Sequence, residues 1–126
     1  MSTIQIKRIY EPALDTDGFR ILVDRLWPRG LKKERARIDL WARAVAPSPE
    51  LRQWFGHDST RFAEFRQRYW AELSDDAVHQ HALDTIREYM GQPTVTLLYA
   101  AQDTVRNNAI VLLDYLRASQ SMRLRP

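Results

Sequence analysis

The six residues Thr94-Val95-Thr96-Leu97-Leu98-Tyr99 constrain this chain's fold most. They are β-branched or apolar, follow Pro93, and are too few for a buried helix, so they predict a strand covered on both faces in the middle of a sheet. Helical patterns flank this strand. Before it, Phe62, Phe65, Tyr69 and Leu73 recur at spacings of three and four, and Val78, Ala82, Ile86 and Met90 predict a second amphipathic helix that opens at Ser74-Asp75-Asp76 and stops at Gly91. After it, Ile110, Leu113 and Leu116, with Leu112 beside them, predict a final helix from about Asn107 to Ser119.

Two more strands precede these helices. Thr3 to Ile9 alternates, with Ile4 and Ile6 on one face, and Phe19 to Val23 is a short apolar run ending at Asp24. The segment Ile38 to Val45 suits either state; its alternation favours a third strand, while its alanines and arginines suit a helix. Ser48 followed by Pro49 predicts the cap and first turn of a short helix ending near Gly56, and Asp58 or Ser59 can cap the next. The order predicts a small three-layer, Rossmann-like α/β domain of about four strands in a mostly parallel sheet. The link between the first two strands is shorter than a normal parallel crossover, so the first strand's direction stays open.

A length of 126 residues with 44% hydrophobic and 28% charged residues predicts one domain with a core of its own, spanning 1–126 and ending in a basic tail from about residue 119. No apolar run reaches the roughly 18–20 residues of a membrane helix and the start lacks a signal-peptide pattern, which predicts a cytoplasmic protein. The absence of cysteine excludes thiol catalysis, disulfides and thiolate metal sites. His79 and His81, two apart on a helix, point in different directions; exposed side chains are expected there, and no metal site. Whether a cofactor binds stays open.

The net charge of +3 is unevenly spread: Arg25, Arg29, Lys32, Lys33, Arg35 and Arg37 face only Glu34, and Arg117, Arg123 and Arg125 lie near the end. Such a run attracts phosphates, or else forms a solvated loop with long side chains over apolar surface. In parallel α/β sheets ligands bind beyond the carboxyl ends of strands. Two segments fall there. In Asp24-Arg25-Leu26-Trp27-Pro28-Arg29-Gly30, Arg25 and Arg29 offer forked donors for phosphate or carboxylate, and Trp27 offers a stacking face. Alternatively Asp24 pairs with Arg25 or Arg29 to pin the loop while Trp27 fills the core. In the second segment, residues 100–108, Asp103 or Thr104 can cap the last helix, and Asn107 and Asn108 can meet a ligand together with Tyr99. If the two segments share a rim, Asp24 and Asp103 become carboxylates near arginines in one cleft, as acid–base catalysis requires. His57-Asp58 is a third candidate, as a proton shuttle or simply a helix cap.

These residues resemble the YeaO-like family, domain-of-unknown-function family 488. The likeness lies in Lys7-Arg8-Ile9-Tyr10, Asp17-Gly18, the run Leu22 to Gly30, Ala46-Pro47-Ser48, Leu51-Arg52, Phe65, Tyr69, Glu72-Leu73, Thr96 to Tyr99, and Asn107. The resemblance implies a compact Rossmann-like domain and brings no activity with it. Members similar to this chain commonly have lysine where Gln102 stands and histidine where Asn108 stands, and more distant ones have cysteines and a Cys-His-Arg run near Tyr99 and residues 107–109. This chain keeps none of those reactive groups. The expected function is binding of an anionic, phosphate-bearing small molecule at the strand rim, with acid–base catalysis left open. The alternatives are a nucleic-acid-binding module using residues 25–37 and a regulatory interaction protein without catalysis. The oligomeric state is open, a homodimer included.

Overall fold

The computed structural model describes residues 3–123, with side chains described through residue 119. The elements run β1 (Thr3–Arg8), β2 (Phe19–Leu22), α1 (Lys33–Ala36), β3 (Leu40–Trp41), α2 (Pro49–Phe55), α3 (Phe62–Asp75), α4 (Ala77–Tyr89), β4 (Thr94–Tyr99) and α5 (Asn108–Arg123). Among the described residues the sheet has four strands in the order β1-β4-β2-β3. All the pairings are parallel, with Leu97 of β4 opposite both Ile6 and Ile21. This is the three-layer Rossmann-like architecture, with β4 central as its composition requires.

The direction of β1 is now settled, and the reason lies in the short link. Strand β4 separates β1 from β2, and residues 9–18 return across one sheet face with no α-helix, only a 3-10 turn at Asp15–Asp17. Polar bonds hold this strap down. Gln5 Nε2 donates to the Thr16 carbonyl, Lys7 Nζ to the Pro12 carbonyl at 2.7 Å, and Thr96 Oγ1 to the Asp17 carbonyl at 2.6 Å. Under the strap the Asp17 carboxylate meets Lys7 Nζ at 3.1 Å and Arg20 Nη1. Arg20 also donates to the carbonyls of Ala36 and Arg37, so one buried guanidinium ties β2, the strap and the end of α1 together.

The opposite face carries the main core. Ile21, Val23, Val95, Leu97 and Tyr99 of the sheet pack there against Phe65, Tyr69, Leu83, Ile86, Leu112 and Leu116 of the helices. A smaller cluster of Ile9, Leu22, Ala36 and Leu98 lies under the strap side, with Trp27 and Trp41 packed on it. The third layer is therefore thin, made of loops and the four-residue α1.

Ser48 caps α2 as expected, its Oγ accepting from the Leu51 amide at 3.2 Å and donating to Glu72 Oε2 at 2.6 Å, while its own amide reaches Glu72 Oε1. Replacing Ser48 with alanine should cost about 2 kcal/mol, since a cap and a charge-assisted bond to α3 are lost together. Urea denaturation checks this, and a loss under about 0.5 kcal/mol would show that Glu72 contributes nothing to the cap.

Several local expectations change. The proposed third strand contracts to Leu40–Trp41, because Arg43–Val45 turns into a 3-10 helix beside α4. Val78 is 60% exposed rather than buried. The inward stripe of α4 is His79, Ala82, Leu83 and Ile86, one position further along the helix. His79 is consequently buried, not exposed, with Nε2 2.7 Å from the Ala46 carbonyl and Nδ1 against the Asp76 carboxylate. With one ring nitrogen at each of these groups, the imidazole fastens the Ala46-Pro47-Ser48 turn to the start of α4. His81 remains exposed. Arg125 of the basic tail and the side chain of Arg123 lie outside what is described, whereas Arg117 sits on exposed surface of α5. No helix among the described residues is long and apolar enough to cross a membrane.

Candidate functional site

Because the strands are parallel, their carboxyl ends share one rim, and a cleft of about 1260 Å³ opens there. Both segments predicted to meet do so: Asp24 to Arg29 and Ala100 to Asn108 line it together. His57 lines it as well, from a left-handed backbone position (φ 59°) just after α2. Arg8 at the end of β1 and Arg52 from α2 complete the basic wall, with Tyr10, just past β1, beside them. Arg8 and Tyr10 were legible by the same rule applied to the other strands, since they follow directly on a strand's carboxyl end. Arg52 had no comparable signal, because a helix surface arginine is ordinary.

Asp24 is the joint of the site. Its Oδ2 accepts the Ala100 amide at 2.9 Å and its Oδ1 the Asn108 side-chain amide at 3.0 Å, so the ends of β2, β4 and the start of α5 are locked to one carboxylate. It forms no ion pair with Arg25 or Arg29 among the described residues. Burial pushes its carboxyl above the usual range, while the bonds from Asn108 and Ala100 and the charges of Arg52 and His57 pull in the other direction.

Asp103 behaves oppositely. The amides of Arg106 and Val105, at 2.9 Å each, hold it below its ordinary value, with a weaker contact from the Arg106 guanidinium at 3.3 Å. It braces the loop before α5, but it is not the cap. Asn107 caps α5, its Oδ1 accepting from the Ile110 amide at 3.0 Å while its amide donates to the Asp103 carbonyl. Asn107 is buried and fully engaged in this role. Tyr99 is not among the cleft-lining residues: its ring is sealed in the main core, and burial raises its phenol.

The cleft arginines are held in an unusual way. Arg25 donates through Nε and Nη2 to the carbonyls of Ala46 and Pro47, and Arg8 through Nε to the Ala101 carbonyl at 3.0 Å. No carboxylate pairs with Arg8, Arg25, Arg29 or Arg52 among the described residues, so only Arg106 is neutralised locally, by Asp103. Carbonyl tethers fix a guanidinium in place without cancelling its charge. The rest of the basic run parts company with the cleft: Lys32, Lys33, Arg35 and Arg37 are exposed on and around α1 and do not line it.

His57 and Asp58 also separate. Asp58 accepts from the Thr60 amide at 3.0 Å as a cap, and its carboxyl is held low mainly by Thr60. No group of three or more histidine, aspartate or glutamate side chains that could hold a metal occurs among the described residues. A shallower hollow of about 430 Å³ lies at the other end of the sheet, with Asp15 and Asp39 in its wall and no basic group, so it offers nothing to an anion.

The fold and the rim cleft define a parallel α/β domain with a basic hollow at its strand ends. The chain belongs to the DUF488 family, in the branch described as the inactive DUF488-N3 subclade, whose family model matches residues 3–123. It is 45% identical over 115 residues to the uncharacterized protein YeaO of Escherichia coli (strain K12), covering 91% of this chain and 97% of that one. It is 42% identical over 113 residues to the uncharacterized protein Rv3073c of Mycobacterium tuberculosis (strain H37Rv), covering 90% of this chain and 92% of that protein. The same identity and coverage hold for Mb3100c of Mycobacterium bovis. No solved structure matches the chain.

Proposed function

We propose that this protein binds an anionic, phosphate-bearing small molecule in the rim cleft and does not turn it over. The observation that carries this is the set of four cleft arginines without a carboxylate partner, two of them steadied by backbone carbonyls. Five arginines against two aspartates in the wall leave a strongly positive hollow that draws anions in. Against turnover stand the engaged carboxylates. Each Asp24 oxygen already accepts an internal bond, Asp103 is spent on loop amides, and Asn108 carries an amide that cannot take up a proton near neutrality. The family's description as inactive points the same way.

Thermal shift with a panel of phosphate esters tests this. Binding should raise the melting temperature, and Arg29→Ala or Arg52→Ala should each weaken affinity about tenfold or more, the worth of a charge-assisted bond. A panel that leaves the melting temperature unmoved in the parent protein removes the proposal. Release of phosphate or of the alcohol during incubation would instead refute the absence of turnover.

A second reading rests on a different observation, the exposure of Lys32, Lys33, Arg35 and Arg37. Nucleic-acid binding through them would weaken steeply with salt. A titration with short single- and double-stranded oligonucleotides that finds no binding near 50 mM salt, where such contacts are strongest, excludes it.

A further inference from the structure

Two of the cleft's residues are aromatic rings whose polar atoms already have internal partners. Tyr10 donates its hydroxyl to the Arg29 carbonyl at 2.8 Å, and Trp27 donates Nε1 to the Leu31 carbonyl at 2.7 Å. Trp27 is further fixed by an edge-to-face contact with Trp41, the ring centroids 5.4 Å apart. Both rings are thus immobilised, and with their polar atoms engaged, what they offer the cleft is hydrocarbon and π surface. Tyr10 keeps 39% of its surface exposed although the Arg8 guanidinium lies 4.7 Å from its ring centroid. Leu26, 55% exposed, adds apolar surface to the same wall.

These groups alternate with the cations along the chain: Arg25, Trp27 and Arg29 occupy every second position of one segment, and Tyr10 is bonded to that segment's backbone. A bare phosphate or a small sugar phosphate would use the arginines and leave the rings wet. It would also leave most of the hollow empty, because about 1260 Å³ exceeds the roughly 300–1,000 Å³ typical of drug-sized ligand sites. From the rings and the volume together, and resting on the anion-binding reading above, we infer that the ligand carries a planar heteroaromatic ring beside its phosphate, as a nucleoside phosphate does. The ring lies against Tyr10 and Trp27 and the phosphate against the arginines.

Calorimetric titration of the full chain with inorganic phosphate, ribose 5-phosphate and the nucleoside 5′-monophosphates tests this directly. At least one nucleoside monophosphate should bind about tenfold or more tightly than ribose 5-phosphate, the gain expected from one stacked base. Tyr10→Phe should keep most of that preference, whereas Tyr10→Ala should lose most of the ratio of nucleotide to ribose 5-phosphate affinity, a ratio in which any change in phosphate binding through the contacts of Tyr10 with Arg8 and Arg29 cancels. Equal affinity for ribose 5-phosphate and every nucleotide in the unaltered protein overturns the ring while leaving the anion site standing. A preference that survives Tyr10→Ala undiminished also overturns the placement of the ring. Failure of all these compounds to bind removes the anion site itself, and the inference with it.

Discussion

Replacing Asp17 with asparagine is expected to destabilise the protein by about 3–5 kcal/mol, the usual cost of removing one partner from a buried ion pair. The arrangement is severe because one carboxylate serves two cations, Lys7 at 3.1 Å and Arg20, and the side chains of Asp17 and Arg20 are each only 5% exposed. Without it, two positive charges stay under the strap with carbonyls alone to solvate them. A drop in melting temperature of about 10–20 °C follows for a chain of this size. Adding Lys7→Met to the Asp17→Asn variant should recover part of the loss, and a variant as stable as the parent would show that the strap does not depend on this pair.

The same carboxylate sets a pH limit. Burial by itself raises the Asp17 pKa, but the Leu14 amide, the Lys7 ammonium and the Arg20 guanidinium outweigh it and hold the group below its ordinary value. A carboxylate with a lower pKa in the folded chain stabilises the fold fully above its unfolded value, about 3.9, and loses that contribution as pH falls through the folded value. Asp58, Asp76 and Asp103 are also lowered, so acid weakens parent and variant alike. The difference between the two, followed by thermal unfolding across the acid range, should shrink as pH falls through the Asp17 transition; a constant difference would contradict the assignment.

Gly18→Ala carries the other large effect. Gly18 has φ 66° and ψ −133°, and a Cβ placed there would stand 2.2 Å from the Thr94 carbonyl oxygen and 2.7 Å from Thr94 Cβ. Thr94 opens the central strand and is paired with Thr3, so it has nowhere to retreat. Backbone strain and overpacking together should cost about 2–6 kcal/mol. Gly30→Ala provides the control, with a similar φ of 75° and nothing within 4 Å, and should cost only about 1 kcal/mol. Chemical denaturation of the pair decides, and equal losses would mean that the contact with Thr94 is absorbed.

The layout of strands and helices was legible because it depends on periodicity, and the two rim segments were legible because parallel strands end together. Val78 and His79 show where that reasoning fails. A one-residue rotation of α4 exchanges a valine for a histidine, and only the Asp76 carboxylate and the Ala46 carbonyl, brought together by folding, give the buried imidazole its hydrogen-bond partners. The strap escaped for a related reason: Arg20 inside an apolar run gives no sign of its partners until Asp17 is folded over it. At the site, Asp24 stood out correctly as a residue of the rim, but its engagement by Ala100 and Asn108 depends on contacts 76 and 84 positions away. Asn107 rather than Asp103 caps α5 because the loop reaches one turn further before the helix begins.

Fixing Trp27 at the edge of the cleft also equips the protein with an optical reporter. Of its four tryptophans, Trp27 lines the hollow and touches Trp41, whereas Trp54 and Trp70 stand on helices and do not line it. An occupant reaching that indole alters one part of the emission and leaves the remainder as an internal reference, so occupancy can be followed in solution with no label attached.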